Sequence, residues 1–331
     1  PKALRLPAGR GRELRHDMEG FVDEVGKQIH TAFESEQYAA KREETVRSFQ
    51  QQRDELFRKI NEKANEQGFF LQASPMGLMT IPLKDGKPIG DEDFLAMTSE
   101  EREEISKKRE DLQSDIKAAM RQARTFEKGA TEALEQLDRE VVLFALGPLT
   151  DEMREKYGDV PAVSEWLDEV QTDIVENVDT FRGETQEQPP QIAFAIQAAR
   201  QQSLRRYEIN VLVDNSEQKG APVHMELNPT YGDLFGRLEK EAQFGALSTD
   251  HTLIREGSMH RANGGYIIIP VDELLRNPLS WDSLKRALRN QEIVVEAIID
   301  KLGFFSTKSL RPEPIHLDAK VCHKHSNSIP R

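Results

Sequence analysis

One cysteine, Cys322, stands among 331 residues, which excludes an intramolecular disulfide and suits a reducing compartment. No apolar run approaches the roughly 20 residues that span a bilayer, and the N-terminus carries no secretory signal pattern. A membrane is therefore not expected as a partner. Positive charge is also in short supply. The 45 Lys and Arg face 58 Asp and Glu, for a net charge of −13, which argues against nucleic acid as a partner. With a mean hydropathy of −0.64, the chain reads as a cytoplasmic protein long enough for two or three domains.

Chemical motifs are missing too. Gly20 to Gly26-Lys27-Gln28 superficially resembles a phosphate loop. Five residues separate its glycines, no Ser or Thr follows the Lys, and it lies in a helical pattern where no backbone cradle can form. Cys322-His323-Lys324-His325 holds metal-type ligands but has no second cluster to complete a site, and it reads as part of an altered tail. His224, His251, His260 and His316 are scattered and read as structural or surface residues. Ser248 and Ser258 lack an identifiable base, and Lys285 reads as helix surface. The sequence offers no catalytic, cofactor-binding or metal-binding residue.

The first half is helical. Leu14, Met18, Phe21, Val22, Val25, Ile29 and Phe33 recur in steps of three and four, and Val46, Phe49, Leu56, Ile60 and Ala64 resume them. A second stripe runs through Ile105, Leu112, Ile116, Ala119, Ala123, Phe126, Ala130, Ala133, Leu137, Val141 and Phe144, the seam of a coiled coil. Thr98 and Glu101 form a capping box at its start. Neither stripe can be buried alone, so an antiparallel pair is expected. Between them, residues 68–93 break the helical period. Phe69-Phe70-Leu71, Met76 to Ile81 and Lys84-Asp85-Gly86-Lys87 read as short strands with an Asp-Gly turn, a small β tip on the arm.

From residue 150 to 181 a third helix is expected, bent near Gly158 to Pro161, followed by a polar loop over 183–190. From Tyr207 the pattern turns to strands, with Ile209 to Val213, Tyr266 to Ile269 and Ile293 to Val295 alternating with helix, so a parallel α/β sheet is expected. The run Gly264-Gly265-Tyr266-Ile267-Ile268-Ile269 resembles a Walker B strand, in which a terminal acid holds Mg²⁺ and the next polarises water. Pro270 and Val271 occupy those two positions, and Asp272 and Glu273 arrive two residues late.

Asn228-Pro229-Thr230-Tyr231, Leu234-Phe235-Gly236-Arg237, Phe244-Gly245-Ala246-Leu247, Leu253-Ile254-Arg255, His260 to Tyr266 and Leu284 to Leu288 occur in this order. Together they resemble the Lon-related ATP-dependent proteases, in the Lon-like or LonC-type branch whose AAA+ module carries a helical insertion. The resemblance extends from Ala3-Leu4-Arg5-Leu6-Pro7-Ala8-Gly9 to about Val321, with an apolar strand expected after it. It implies a AAA+ ring, hence a homo-oligomer, coupled to a proteolytic domain with a Ser-Lys dyad. Neither that dyad nor a phosphate loop is visible, so the chain reads as an internal fragment. The resemblance allows ATP in the full-length protein.

The expected fold is mainly α with α/β: a long antiparallel coiled-coil arm with a small β tip, plus a partial AAA+-like module. The boundaries read as a lead-in at 1–13, the arm at 14–182, a linker and helix at 183–206, the degenerate module at 207–321 and an atypical tail at 322–331. The expected role is substrate recognition and gating, feeding unfolded protein to the proteolytic domain. Candidate substrate-binding residues are Phe69, Phe70, Met76, Leu78 and Met79 at the tip, and Tyr231, Phe235 and Phe244 at glycine-rich turns that could line a ring's pore. The bland reading makes the tip residues a mini-core and the turn aromatics core anchors. Two other readings stay open: a working ATPase in which Asp272 or Glu273 recovers the metal role through a bulge, and a coiled-coil scaffold for oligomerisation.

Overall fold

The computed structural model describes residues 1–74, 77–84, 87–89, 97–182, 190–243, 246–296 and 310–324. Helix α1 covers Arg10–Glu34 and α2 covers Glu36–Glu66. Strands β1 (Phe69–Ser74), β2 (Gly77–Lys84) and β3 (Lys87–Pro88) follow, then the long helix α3 (Ser99–Tyr157). Next come α4 (Pro161–Glu176), α5 (Asp179–Arg182) and α6 (Pro190–Leu204). The remaining elements are short. They are β4 (Val223–Met225), α7 (Tyr231–Phe235), β5 (Arg237–Leu238), β6 (Glu241–Gln243), β7 (Ala246–Ser248) and β8 (Ile254–Arg255). After them come α8 (Ser258–Arg261), β9 (Tyr266–Pro270), α9 (Val271–Leu275), α10 (Pro278–Asn290), β10 (Glu292–Ile293), β11 (Ile315–His316) and β12 (Lys320–Lys324). Two compact units result, Ile29–Ala145 and Pro1–Gln28 with Leu146–Arg331. No described helix is long and apolar enough to cross a membrane.

Within the unit 29–145, α2 and α3 run antiparallel. Tyr38 Oη donates to Asp138 Oδ1 at 2.7 Å, Phe49 lies beside Gly129, and Lys63 pairs with Asp115 at 2.6 Å, one number falling as the other rises. Ile60 and Ala64 share a core with Leu112, Ile116 and Ala119. The first helical run is two helices, not one. Ser35 stops it, its Oγ donating to the Ala32 carbonyl and accepting from Tyr38 N–H, which caps α2. At the start of α3 the capping box forms: Thr98 N–H donates to Glu101 Oε2 at 2.9 Å, and Glu101 N–H donates to Thr98 Oγ1.

The α3 stripe holds through Leu137 and then changes phase. Val142, Leu146, Thr150, Met153 and Tyr157 are buried, whereas Phe144, expected in the seam, is 85% exposed. Counting at a constant period carries the phase onward. The helix instead takes a five-residue step from Leu137 to Val142, after which steps of four and three resume on a different face. Pro148 lies a turn beyond and cannot donate to the Phe144 carbonyl.

In the other unit, Tyr157 Oη donates to Asp17 Oδ2 at 2.5 Å beside Lys156, which pairs with the same carboxylate at 2.6 Å. Burial opposes ionisation of Asp17, but these two partners outweigh it and hold the carboxyl below its usual range. The α/β part carries a parallel sheet in the order β12-β9-β4. Ile267 and Ile269 face a core of Leu234, Phe235, Met259, Leu274 and Leu284. Three expectations fail here. Ile293 to Val295 does not join the parallel sheet; Glu292–Ile293 pairs antiparallel with Ile315–His316 instead. Residues 209–213 form no strand, because Asn210 Nδ2 donates to the carbonyls of His251 and Ile254, so a side chain holds the segment in place of a ladder. Residues 322–324, read as an atypical tail, extend β12 along Ile268 to Pro270.

The phase change is testable by thermal or urea melts. Ile116→Asp with Leu137→Asp buries charge in the seam and should cost about 3 kcal/mol or more. Phe144→Asp should shift stability by no more than about 0.5 kcal/mol. Equal losses from the two would place Phe144 back in the seam.

Candidate functional site

The tip candidates lie on a three-stranded antiparallel sheet, β1-β2-β3. Its register pairs Phe69 with Pro82, Phe70 with Ile81, Leu71 with Thr80, Gln72 with Met79 and Ala73 with Leu78. Side chains alternate between faces along a strand, so this pairing fixes two sets. Phe69, Leu71 and Leu78 turn inward onto Ile60, Ala64, Leu112 and Ile116. Between them Thr80 is buried and held by Arg109, whose Nε donates to its Oγ1 at 3.2 Å and whose Nη2 donates to its carbonyl. Phe70, Gln72, Met79 and Ile81 occupy the opposite face, where Phe70 is 49% and Met79 54% exposed. The sequence grouped these apolar residues together, and strand parity divides them. Met76 and the Asp85-Gly86 pair lie outside the described residues.

The turn candidates of the α/β part are placed differently. Thr230 caps α7, its Oγ1 accepting from Asp233 N–H and donating to Asp233 Oδ2 at 2.6 Å. That short helix turns Tyr231 and Phe235 into the core, with stacked rings 5.3 Å apart and exposures of 5% and 2%. A long-range contact locks the turn. Gly236 has φ +84°, and a Cβ on Gly257 would lie 2.3 Å from the Leu234 carbonyl oxygen. Phe244 and Gly245 lie outside the described residues.

Strand β9 pairs with β12 over five consecutive residues, Tyr266 with Lys320 through Pro270 with Lys324, and no bulge interrupts it. Pro270 caps α9, so Asp272 and Glu273 fall in the first turn of a helix, with Glu273 paired to Arg276 at 2.7 Å. The Asn-Gly-Gly segment before β9 acts as a structural clasp. Asn263 Nδ2 donates to the His316 carbonyl and its Oδ1 accepts from Asp318 N–H, both at 2.7 Å. Gly264 N–H donates to the Asp318 carbonyl, Lys320 N–H to the Gly265 carbonyl and Tyr266 N–H to the Pro222 carbonyl. A Cβ at Gly265 would lie 2.0 Å from the Pro222 oxygen, so only glycine fits. Sequence reasoning assigned this segment no such role, because its partners lie 53 and 55 residues away at His316 and Asp318; a polar Asn before paired glycines was the available signal.

His260, in α8, is 4% exposed. Its Nδ1 accepts from Gly257 N–H at 3.1 Å, which suits a neutral ring, and its Nε2 has no partner among the described residues. Burial, with Arg261 adding to it, pushes its pKa down to about 4.

Two family models match. Residues 219–325 match the LonB-like AAA domain, and residues 1–21 match the Lon-like LonC helical domain. The first match covers the clasp, the glycine-locked turn and β12. No curated protein matches the chain.

Because the folded-state pKa of His260 lies below the ordinary 6.5, its contribution to stability is fully present above about pH 6.5 and is lost as pH falls toward 4. Urea melts at pH 7 and pH 4.5 should differ by roughly 2–3 kcal/mol from this residue alone. A His260→Gln chain should lose correspondingly less on acidification. The same acid dependence in both chains would assign it to other groups.

Proposed function

We propose that this chain, which matches Lon-related family models over residues 1–21 and 219–325, serves in substrate capture: the outer face of the β1–β3 sheet takes hold of unfolded protein for a proteolytic domain elsewhere in the full-length protein. In this reading the full-length protein is a Lon-like serine protease, and copies of it assemble into a ring. The observation that carries the role is the exposure of Phe70 and Met79 on one face of a sheet whose other face is buried. Methionine adapts to many apolar shapes, and a phenylalanine face adds area without demanding one sequence. Support for a pore-lining role is weaker at Tyr231 and Phe235, whose rings pack in the core.

Nucleotide does not enter the proposed role of these residues. Pro270 and Val271 stand where a motor strand places its acids, and Asp272 and Glu273 sit on helix α9. ATP in the full-length protein would act through residues other than these.

Fluorescence anisotropy with an unfolded casein-like probe tests the capture role. Phe70→Ser with Met79→Ser should weaken binding about tenfold or more while leaving the melt within about 1 kcal/mol. Unchanged affinity in the double variant would remove the hairpin from the role, and no binding by the intact chain at high micromolar concentration would favour a scaffold. Calorimetry with ATP and Mg²⁺ should show no saturable binding. Micromolar binding that disappears in Asp272→Ala would restore the ATPase reading.

A further inference from the structure

The two edges of the hairpin sheet are built differently. In the order β1-β2-β3, both β1 and β3 are edge strands. β3 is Lys87-Pro88, a charge followed by a residue without an N–H, and both features discourage another strand from adding. β1, reading Phe-Phe-Leu-Gln-Ala-Ser, has no charge and no proline, and its six consecutive pairs with β2 contain no bulge. One edge is guarded and the other is bare.

Parity identifies the free backbone groups on β1. Leu83 N–H donates to the Gly68 carbonyl at 2.7 Å. In an antiparallel ladder, alternate residues face the same neighbour, so Phe70, Gln72 and Ser74 direct their backbone groups to β2. Phe69, Leu71 and Ala73 direct theirs away from it. Pro82 opposite Phe69 fits this assignment, since that position needs no N–H toward β1. Phe69 and Leu71 turn their side chains into the core, at 1% and 9% exposure, while Phe70 between them is 49% exposed. Among the described residues, no backbone group pairs with the outward N–H and C=O of Leu71 and Ala73.

Building on the capture role above, we propose that β1 receives substrate by strand addition. An extended segment of unfolded protein hydrogen-bonds to Leu71 and Ala73 through its backbone. Every second side chain then lies beside Phe70 and Gln72, continuing the apolar face that includes Met79. Main-chain pairing supplies affinity without a required sequence, and the exposed face favours apolar residues at alternate positions. On the described residues of β1, β2 and β3 the only charged side chains are Lys84 and Lys87, so a neutral or acidic segment fits better than a basic one.

The test uses the whole chain and a fluorescent peptide of alternating Val and Thr ending in Glu. Two further versions carry N-methyl groups on one or the other set of alternate amides. Methylating the set that faces β1 should weaken binding about tenfold, and methylating the other set should not. Ala73→Pro removes one outward N–H while sparing the ladder to β2. It should also abolish binding and leave the melt unchanged. Peptide addition should slow amide exchange at Leu71 and Ala73. Should all three peptides bind equally and depend on Phe70 and Met79, strand addition is overturned and the capture role survives. Should none bind, both fall. Should Ala73→Pro bind normally, the edge is not the site.

Discussion

Where helical segments of this chain meet, a tyrosine hydroxyl donates to an aspartate: Tyr38 to Asp138, Tyr157 to Asp17 and Tyr207 to Asp173. A phenol removed from water needs a partner, and an ionised acceptor makes the bond stronger. Bonds to charged groups contribute about 1.5–3 kcal/mol each, and here they also fix register, because a tyrosine reaches only one turn of its neighbour. Aliphatic stripes of Leu, Ile and Ala can slide past one another at little cost. The Tyr–Asp pairs stop that sliding. Basic side chains stand beside two of the three acceptors, Lys156 at Asp17 and Arg206 at Asp173.

The α/β part reaches definition by another route. Its strands are short, and one turn organises the starts of three of them. Asn263 spans His316 and Asp318, Gly264 takes a positive φ of +84°, and Gly265 lets the Pro222 backbone approach to a distance no side chain permits. Gly236 and Gly257 do the same at the end of α7. The segments that carry the family resemblance are therefore segments where backbone meets backbone. Their chemistry is positional, which is why Tyr231 and Phe235, although beside glycines, belong to the core and not to a surface.

Legibility in the sequence followed the range of the interaction. The seam residues Leu112, Ile116 and Leu137 and the Thr98–Glu101 cap are local patterns and are where the sequence put them, and the strands read at 69–71 and 76–81 appear at 69–74 and 77–84. Phe144 was misplaced because the heptad count was carried on at constant phase, whereas the buried face of α3 shifts by a five-residue step between Leu137 and Val142. The β-branched run 209–213 looked like a strand, but Asn210 satisfies partners forty residues away with its side chain. Residues 322–324 looked foreign because they are polar, as an edge strand with a single ladder can be. At the hairpin, composition found the residues, but only the pairing register could say which of them face outward.

The unguarded edge of β1 has a colloidal consequence. Backbone groups that accept one extended chain can also accept an identical edge from another molecule. The net charge of −13 opposes that encounter, since like-charged molecules repel until salt shortens the reach of their fields. Surface charge thus opposes edge-to-edge pairing, and high ionic strength weakens that protection without altering a single contact inside the fold.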